Sequence, residues 1–177
     1  WQKRRCKECG GAIAWRYPLV EFVTGLSFAL IAWKSSLLSE LVIGLVFFSL
    51  LLILALIDLE HKLLPDVLTL PGTALGLLLA LLGLTISFWS SVLGAAVGFV
   101  LMLLIALISR GGMGMGDVKL MAMIGAFMGW KAVFFVLFGA SLLGSIGGIL
   151  YLYITKQDRR TPIPFGPSMA VAALVLY

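Results

Sequence analysis

Long apolar runs separated by short polar breaks dominate the chain, and within a run such as 41–57 there is no alternation of apolar and polar positions. A transmembrane barrel needs alternating strands of about 10 residues, so the unbroken runs point to helices. The hydrocarbon core of a bilayer, about 30 Å thick, is crossed by roughly 20 apolar residues in a helix. On this basis spans are expected over 17–33, 41–57, 67–86, 90–108, 118–129, 132–154 and 163–177. The stretch 120–154 is too long for one crossing at about 1.5 Å per residue. It is divided at Gly129-Trp130-Lys131, where an aromatic and a cation suit an interface. The pattern therefore predicts an all-α fold: a polytopic membrane helical bundle of about seven transmembrane helices over 17–177, preceded by a polar segment over 1–16.

Composition agrees, with 62% apolar and 12% charged residues and a mean hydropathy of +1.13. Soluble domains hold roughly 45–50% apolar and 25% charged residues, so lipid is the solvent for most of this chain. Eleven of the thirteen Lys and Arg fall on one side of the expected topology, leaving Lys34 and Lys131 on the other. That bias places the amino end, and the loops after spans two, four and six, in the cytoplasm. The net charge of +5 then serves orientation and contact with anionic headgroups. No loop is long enough to build a nucleic-acid surface, so lipid bilayer and not nucleic acid is the expected partner. The Trp-Gln-Lys-Arg-Arg start is unlike a cleavable signal peptide, and the chain reads as beginning downstream of a further amino-terminal segment.

Eight carboxylates remain to be placed. Glu8, Glu40, Glu60 and Asp158 fall in loops or at helix ends, where solvation accounts for them. Glu21, Asp58, Asp66 and Asp117 lie within or at the edge of apolar segments, where a carboxylate costs roughly 2.5–3.5 kcal/mol at a helix centre. Glu21, a turn into span one, pairs with Arg16 or faces a neighbouring helix. Asp58 closes the run that begins at Leu50, and Asp117 opens span five within Gly114-Met115-Gly116-Asp117-Val118-Lys119. The topology puts both on one membrane face, 59 residues apart, with one outward and one return helix between them. Two carboxylates in one site hold a single proton between them, as peptide hydrolysis by general acid and base requires. The plainer reading is that Asp117 complements a helix amino terminus and Asp58 snorkels to the interface. Gly111, Gly112, Gly114 and Gly116 favour a close approach by a helix or an extended backbone, although glycine also serves helix packing.

The segment from Ala55 through Asp58-Leu59-Glu60-His61-Lys62-Leu63-Leu64-Pro65-Asp66, taken with Gly114-Met115-Gly116-Asp117-Val118-Lys119 and Ile163-Pro164-Phe165-Gly166-Pro167, resembles the type IV prepilin peptidases of the GxGD intramembrane aspartyl protease group. The resemblance runs from Cys6 to the end of the chain. It implies Asp58 and Asp117 as the catalytic pair, no metal in proteolysis, and type IV prepilins or related pseudopilins as substrates. Their basic leaders would be cut at the cytoplasmic face of the bacterial inner membrane. Gly114, Gly116, Lys119 and Asp66 are expected to bind substrate or support the pair. Lys119 would lower the energy of an ionised Asp117, contact the substrate, or snorkel to the interface. Asp66 is the competing candidate for the first catalytic position; following Pro65 at the start of span three, it is expected instead to cap that helix through backbone N–H groups.

Cys6 and Cys9 form half of a zinc knuckle. Members of the family commonly carry a second such pair upstream, so a structural zinc is expected in a protein that has both. The resemblance also implies N-methyl transfer from S-adenosylmethionine, though the chain holds no Rossmann fingerprint. His61, the sole histidine, sits beside Lys62 and reads as solvated. Two other classes compete: a proton- or ion-coupled transporter, which calls for carboxylates near the midplane, and a structural membrane subunit whose acids are caps.

Overall fold

The computed structural model describes residues 14–109, 113–155 and 164–177. Cys6, Cys9, Gly111, Gly112 and Ile163 lie outside the described residues. Among the described residues the chain is helical throughout: α1 (Arg16–Lys34), α2 (Leu38–His61), α3 (Asp66–Leu81), α4 (Phe88–Ile108), α5 (Met115–Met128), α6 (Trp130–Thr155) and α7 (Gly166–Leu176). Each helix falls on one expected span. Three of them, α2, α4 and α6, are long and apolar enough to cross a membrane, while α3 and α7 are apolar but shorter. Large side chains such as Trp33, Val67, Ile108 and Phe138 point outward with most of their surface uncovered. That surface suits lipid and would not suit water.

Two boundaries differ from the hydropathy pattern, and each has a local cause. The third helix ends at Leu81, five residues before the expected 86, because Gly83 adopts a positive φ of 70°. There Gly83 N–H donates to Ala80 O and Leu84 N–H donates to Leu79 O, the paired bonds of a Schellman terminus. Hydropathy carries on through Leu84 and Ile86, so it hides the stop that Gly83 makes. The division between α5 and α6 falls at the expected place, yet its cause is Gly129, whose φ of 85° few other residues adopt. Trp130 follows directly as the first residue of α6, with the Lys131 ammonium 5.8 Å from the centre of its ring.

Helix α5 is the centre of the bundle. Its residues Val118, Leu120, Met121, Met123, Ile124 and Ala126 are almost wholly buried, against α4 and α3 chiefly and against α6 and α7 in part. The stacked rings of Phe47 and Phe127, 4.5 Å between centroids, join α2 to it. A helix with only 14 residues is short for a crossing, and enclosure by its neighbours compensates for that. The enclosure depends on small residues along one face of α4. Ser91 Oγ donates to Ala126 O at 2.6 Å. Gly94 and Gly125 bring the two backbones together so closely that a Cβ on either would run into the other's carbonyl oxygen. Gly98 lies against Met121 O, where a Cβ would come to 2.7 Å. Glycines four apart allow such approach in membrane helices, whose association rests on packing and not on exclusion of water.

Polar contacts place like ends together. Arg16 Nη1 donates to Glu60 Oε1 at 3.0 Å, tying the start of α1 to the end of α2. Of the two readings of Glu21, pairing with Arg16 or facing a neighbouring helix, the first is not the one the bundle uses, since Arg16 is set against Glu60 of the neighbouring helix. At the other end, Glu40 accepts from the backbone N–H of Ser36 and of Leu37, at 3.0 and 3.3 Å, and so closes the start of α2.

Gly94→Ala is expected to lower stability in detergent by about 1–3 kcal/mol through overpacking. Gly147→Ala, on α6 where a Cβ would meet nothing within 4 Å, is expected to leave it unchanged or slightly raised. Thermal unfolding of the two purified variants beside the parent checks both.

Candidate active site

At one end of the bundle the last turn of α2 and the first turns of α3, α5 and α7 converge on a cavity of about 420 Å³. That volume falls within the roughly 300–1,000 Å³ of typical ligand sites. Its wall comes from the segments 58–66 and 113–119 together with Pro164 and Phe165. Both Asp58 and Asp117 line it, so the structure brings together the two carboxylates that topology had paired. Asp58 is 6% exposed and Asp117 9%, and among the described residues they are the buried charged side chains.

Asp58 lies inside α2, one turn before its end. Lys62 stops that helix in the left-handed region, at φ 52°, with its N–H donating to Asp58 O at 2.9 Å. The Asp58 side chain is held from the opposite side of the cavity. Gly166 N–H, at the first residue of α7, donates to Asp58 Oδ2 at 2.9 Å. A Cβ at Gly166 would lie 2.7 Å from the same oxygen, so only glycine lets this amide come so near. Pro167, the second residue of the helix, has no N–H to leave unsatisfied and holds a helical φ. Gly166 is the residue that sequence reasoning passed over. It was noted only as part of the Pro-Phe-Gly-Pro string, while a glycine directly before a helix-starting proline was the available signal.

Asp117 is in the first turn of α5, where the helix dipole favours a carboxylate, and its N–H donates to Gly114 O at 3.2 Å. The two flanking glycines play different parts. A Cβ on Gly116 would come to 2.6 Å from Leu64 Cβ, so its absence lets α5 lie against the link between α2 and α3. At Gly114 a Cβ would meet nothing nearer than Asp117 Oδ2, at 3.8 Å. Packing therefore requires Gly116 and leaves Gly114 free.

Asp66 and Lys119 line the same cavity, and Asp66 does not take the capping role expected of it. Asp66 is the first residue of α3 and makes no capping bond; Pro65 takes the cap position and has no side chain that could make one. Instead both Asp66 carboxylate oxygens accept from Lys119 Nζ at 2.6 Å. The Lys119 ammonium is thus spent on Asp66 and not on Asp117. His61 is exposed at the end of α2. Among the described residues no group of three His, Cys, Asp or Glu gathers closely enough to hold a metal ion.

Gly166→Ala and Gly116→Ala are expected to lower the unfolding midpoint in detergent, since each methyl meets an atom that must shift. Gly114→Ala is expected to stay within about 0.5 kcal/mol of the parent, as substitutions that touch nothing do. Parallel thermal melts of the three variants separate the two groups.

Comparison with known proteins covers both the pair and its surroundings. Residues 45–149 match the model of the type IV leader peptidase family, and residues 1–35 match that of the bacterial peptidase A24 N-terminal domain. The chain is 39% identical over 180 residues to the prepilin leader peptidase/N-methyltransferase of Aeromonas salmonicida (strain A449), an alignment covering 99% of this chain and 62% of that protein. It is 39% identical over 176 residues to the protein of the same name from Pseudomonas aeruginosa, covering 97% and 61%. For the Bacillus subtilis (strain 168) protein of that name the figures are 36% over 180 residues, with 100% and 71% covered. The chain thus spans about three fifths of the length of the first two of these curated relatives. No solved structure matches it. The matched region 45–149 contains Asp58, Asp66, Asp117 and Lys119, and with the identity sustained along nearly the whole chain this is a bacterial membrane protein that belongs to the type IV leader peptidase family.

Proposed function

We propose that the chain is the proteolytic part of an intramembrane aspartyl endopeptidase that removes the basic leader from type IV prepilins or related pseudopilins. The observation that carries this reading is the cavity with two buried carboxylates on its wall, Asp58 from α2 and Asp117 from α5, while Lys119 on the same wall is engaged by Asp66. Two carboxylates buried in one site, with no ion pair to either among the described residues, cannot both stay ionised cheaply, so the pair holds one proton. The ionised member takes a proton from water as the water oxygen attacks the scissile carbonyl carbon. The protonated member gives its proton to the carbonyl oxygen. Collapse of the tetrahedral intermediate breaks the C–N bond, the proton taken from water passes to the leaving amine, and a hydroxyl of the intermediate returns its proton to the pair, which regains its starting state.

The substrate reaches the cavity from the membrane. A prepilin with a basic leader keeps that leader in the cytoplasm for the same reason that the cation-rich side of this chain lies there. The scissile bond is then presented at the cytoplasmic face of the inner membrane, beside the cavity. For the full-length protein we extend the reading to the second activity in its relatives' name, N-methyl transfer, with S-adenosylmethionine as donor. A structural zinc on Cys6 and Cys9 with a second cysteine pair belongs to the same extension. A transporter reading fits less well. Its carboxylates belong near the midplane, whereas Asp58 and Asp117 occupy the last and first turns of their helices.

Cleavage of a purified prepilin in detergent by the full-length protein provides the test. Asp58→Asn and Asp117→Asn are each expected to reduce kcat by about a thousandfold or more, the scale of losing a general acid or base. Combining them should cost little beyond either alone, because the two act as one unit. A folded Asp58→Asn or Asp117→Asn variant that still cleaves would overturn the assignment.

A further inference from the structure

The cavity wall carries more charge than the reaction needs. Besides the catalytic pair it presents Asp66, Lys119 and the exposed Lys62. Lys119 stands two residues after Asp117 on α5, so the two side chains leave the helix in different directions. Yet its four-carbon stem is flexible, and its ammonium and the Asp117 carboxylate border the same cavity. The Lys119 side chain is 25% exposed, which leaves its charge only partly hydrated and in need of a partner. Asp117, buried and without a cation, would be an obvious one. The ammonium instead lies 2.6 Å from both oxygens of Asp66, at the start of α3. Asp66 makes no capping bond that would explain its place there.

We propose that Asp66 is a positioning residue that keeps the Lys119 ammonium off Asp117, leaving Asp117 and Asp58 to share their proton. This rests on the protease reading above. An ammonium on Asp117 would hold that carboxylate ionised, so the shared proton could rest only on Asp58 and Asp117 could no longer take up or hand on a proton during the reaction. Asp66 prevents this by offering two oxygens to the same charge, in a position it holds as the first residue of a neighbouring helix. The arrangement makes an asymmetric demand on the two partners. Without Asp66, Lys119 becomes harmful. Without Lys119, Asp66 has nothing to restrain, and its half-exposed carboxylate stays hydrated. A bolt between α3 and α5 would make no such distinction.

The test is a double-substitution cycle in the full-length protein, read as prepilin cleavage kinetics in detergent, with a thermal melt for each variant. Asp66→Ala is expected to lower kcat by about tenfold or more, part of the general-acid contribution, with KM within about twofold of the parent. Lys119→Met, measured alone as the reference, should be clearly faster than Asp66→Ala, and adding Lys119→Met to Asp66→Ala should restore kcat to the level of Lys119→Met. Asp66→Glu, which preserves the charge, should behave like the parent and serves where Asp66→Ala is unstable. The proposal is overturned if Lys119→Met is as slow as Asp66→Ala, if the double variant is no faster than Asp66→Ala, or if Asp66→Glu is as slow as Asp66→Ala. Asp117→Asn runs alongside. A parent that does not cleave, or an Asp117→Asn variant that does, brings down the protease reading itself. A cleaving parent with a dead Asp117→Asn variant and no rescue brings down this inference alone.

Discussion

Backbone meeting backbone at Gly94 and Gly125 is the contact on which the rest of the bundle depends. In lipid no hydrophobic effect draws helices together, since the tails are as apolar as leucine, and close approach of small residues has to do so. The glycine crossing, extended by Ser91 and Gly98, lets α4 cover one side of α5, and α3, α6 and α7 cover the remainder. A 14-residue helix thereby becomes the middle of the structure, with its first turn, and Asp117 on it, opening into the cavity. Two carboxylates can be kept nearly out of water only in surroundings that the protein itself supplies, and that crossing supplies them.

Charge around the cavity is sorted, not merely balanced. Two of the cations go to half-exposed carboxylates: Arg16 to Glu60 and Lys119 to Asp66. The buried pair receives instead the dipoles of backbone groups, the Gly166 N–H on Asp58 and the first turn of α5 around Asp117. Dipoles orient a carboxylate without donating a full charge that would have to be undone when a proton moves. This division between structural ion pairs and a dipole-held pair is what separates Asp66 from Asp58, although both sit near a helix end and both line the same space.

Much of this was legible before any coordinates. Unbroken apolar runs foretold the helices, and the scarcity of carboxylates drew attention to Asp58 and Asp117. What the sequence concealed was of three kinds. The stop at Gly83 was masked because hydropathy averages over the residue whose backbone conformation decides the matter. The partners of Arg16 and Lys119 lie 44 and 53 residues away, and among nearby residues only Glu21 and Asp117 stood as alternatives for them. Gly166 escaped because its contribution is a backbone amide, which every residue but proline has, and nothing in a side-chain inventory marks one amide as different from another.

That amide also carries a consequence for biosynthesis. Asp58 and the group that orients it are 108 residues apart, in the second and seventh helices. While the chain is being threaded into the membrane, α2 and α5 can already lie side by side with both carboxylates present. The site is finished only when the ribosome has delivered the turn at Gly166 and α7 has joined the bundle. A nascent chain in the same bilayer as its neighbours is therefore without a properly set Asp58 until α7 is in place, and the order of synthesis itself delays completion of the cavity.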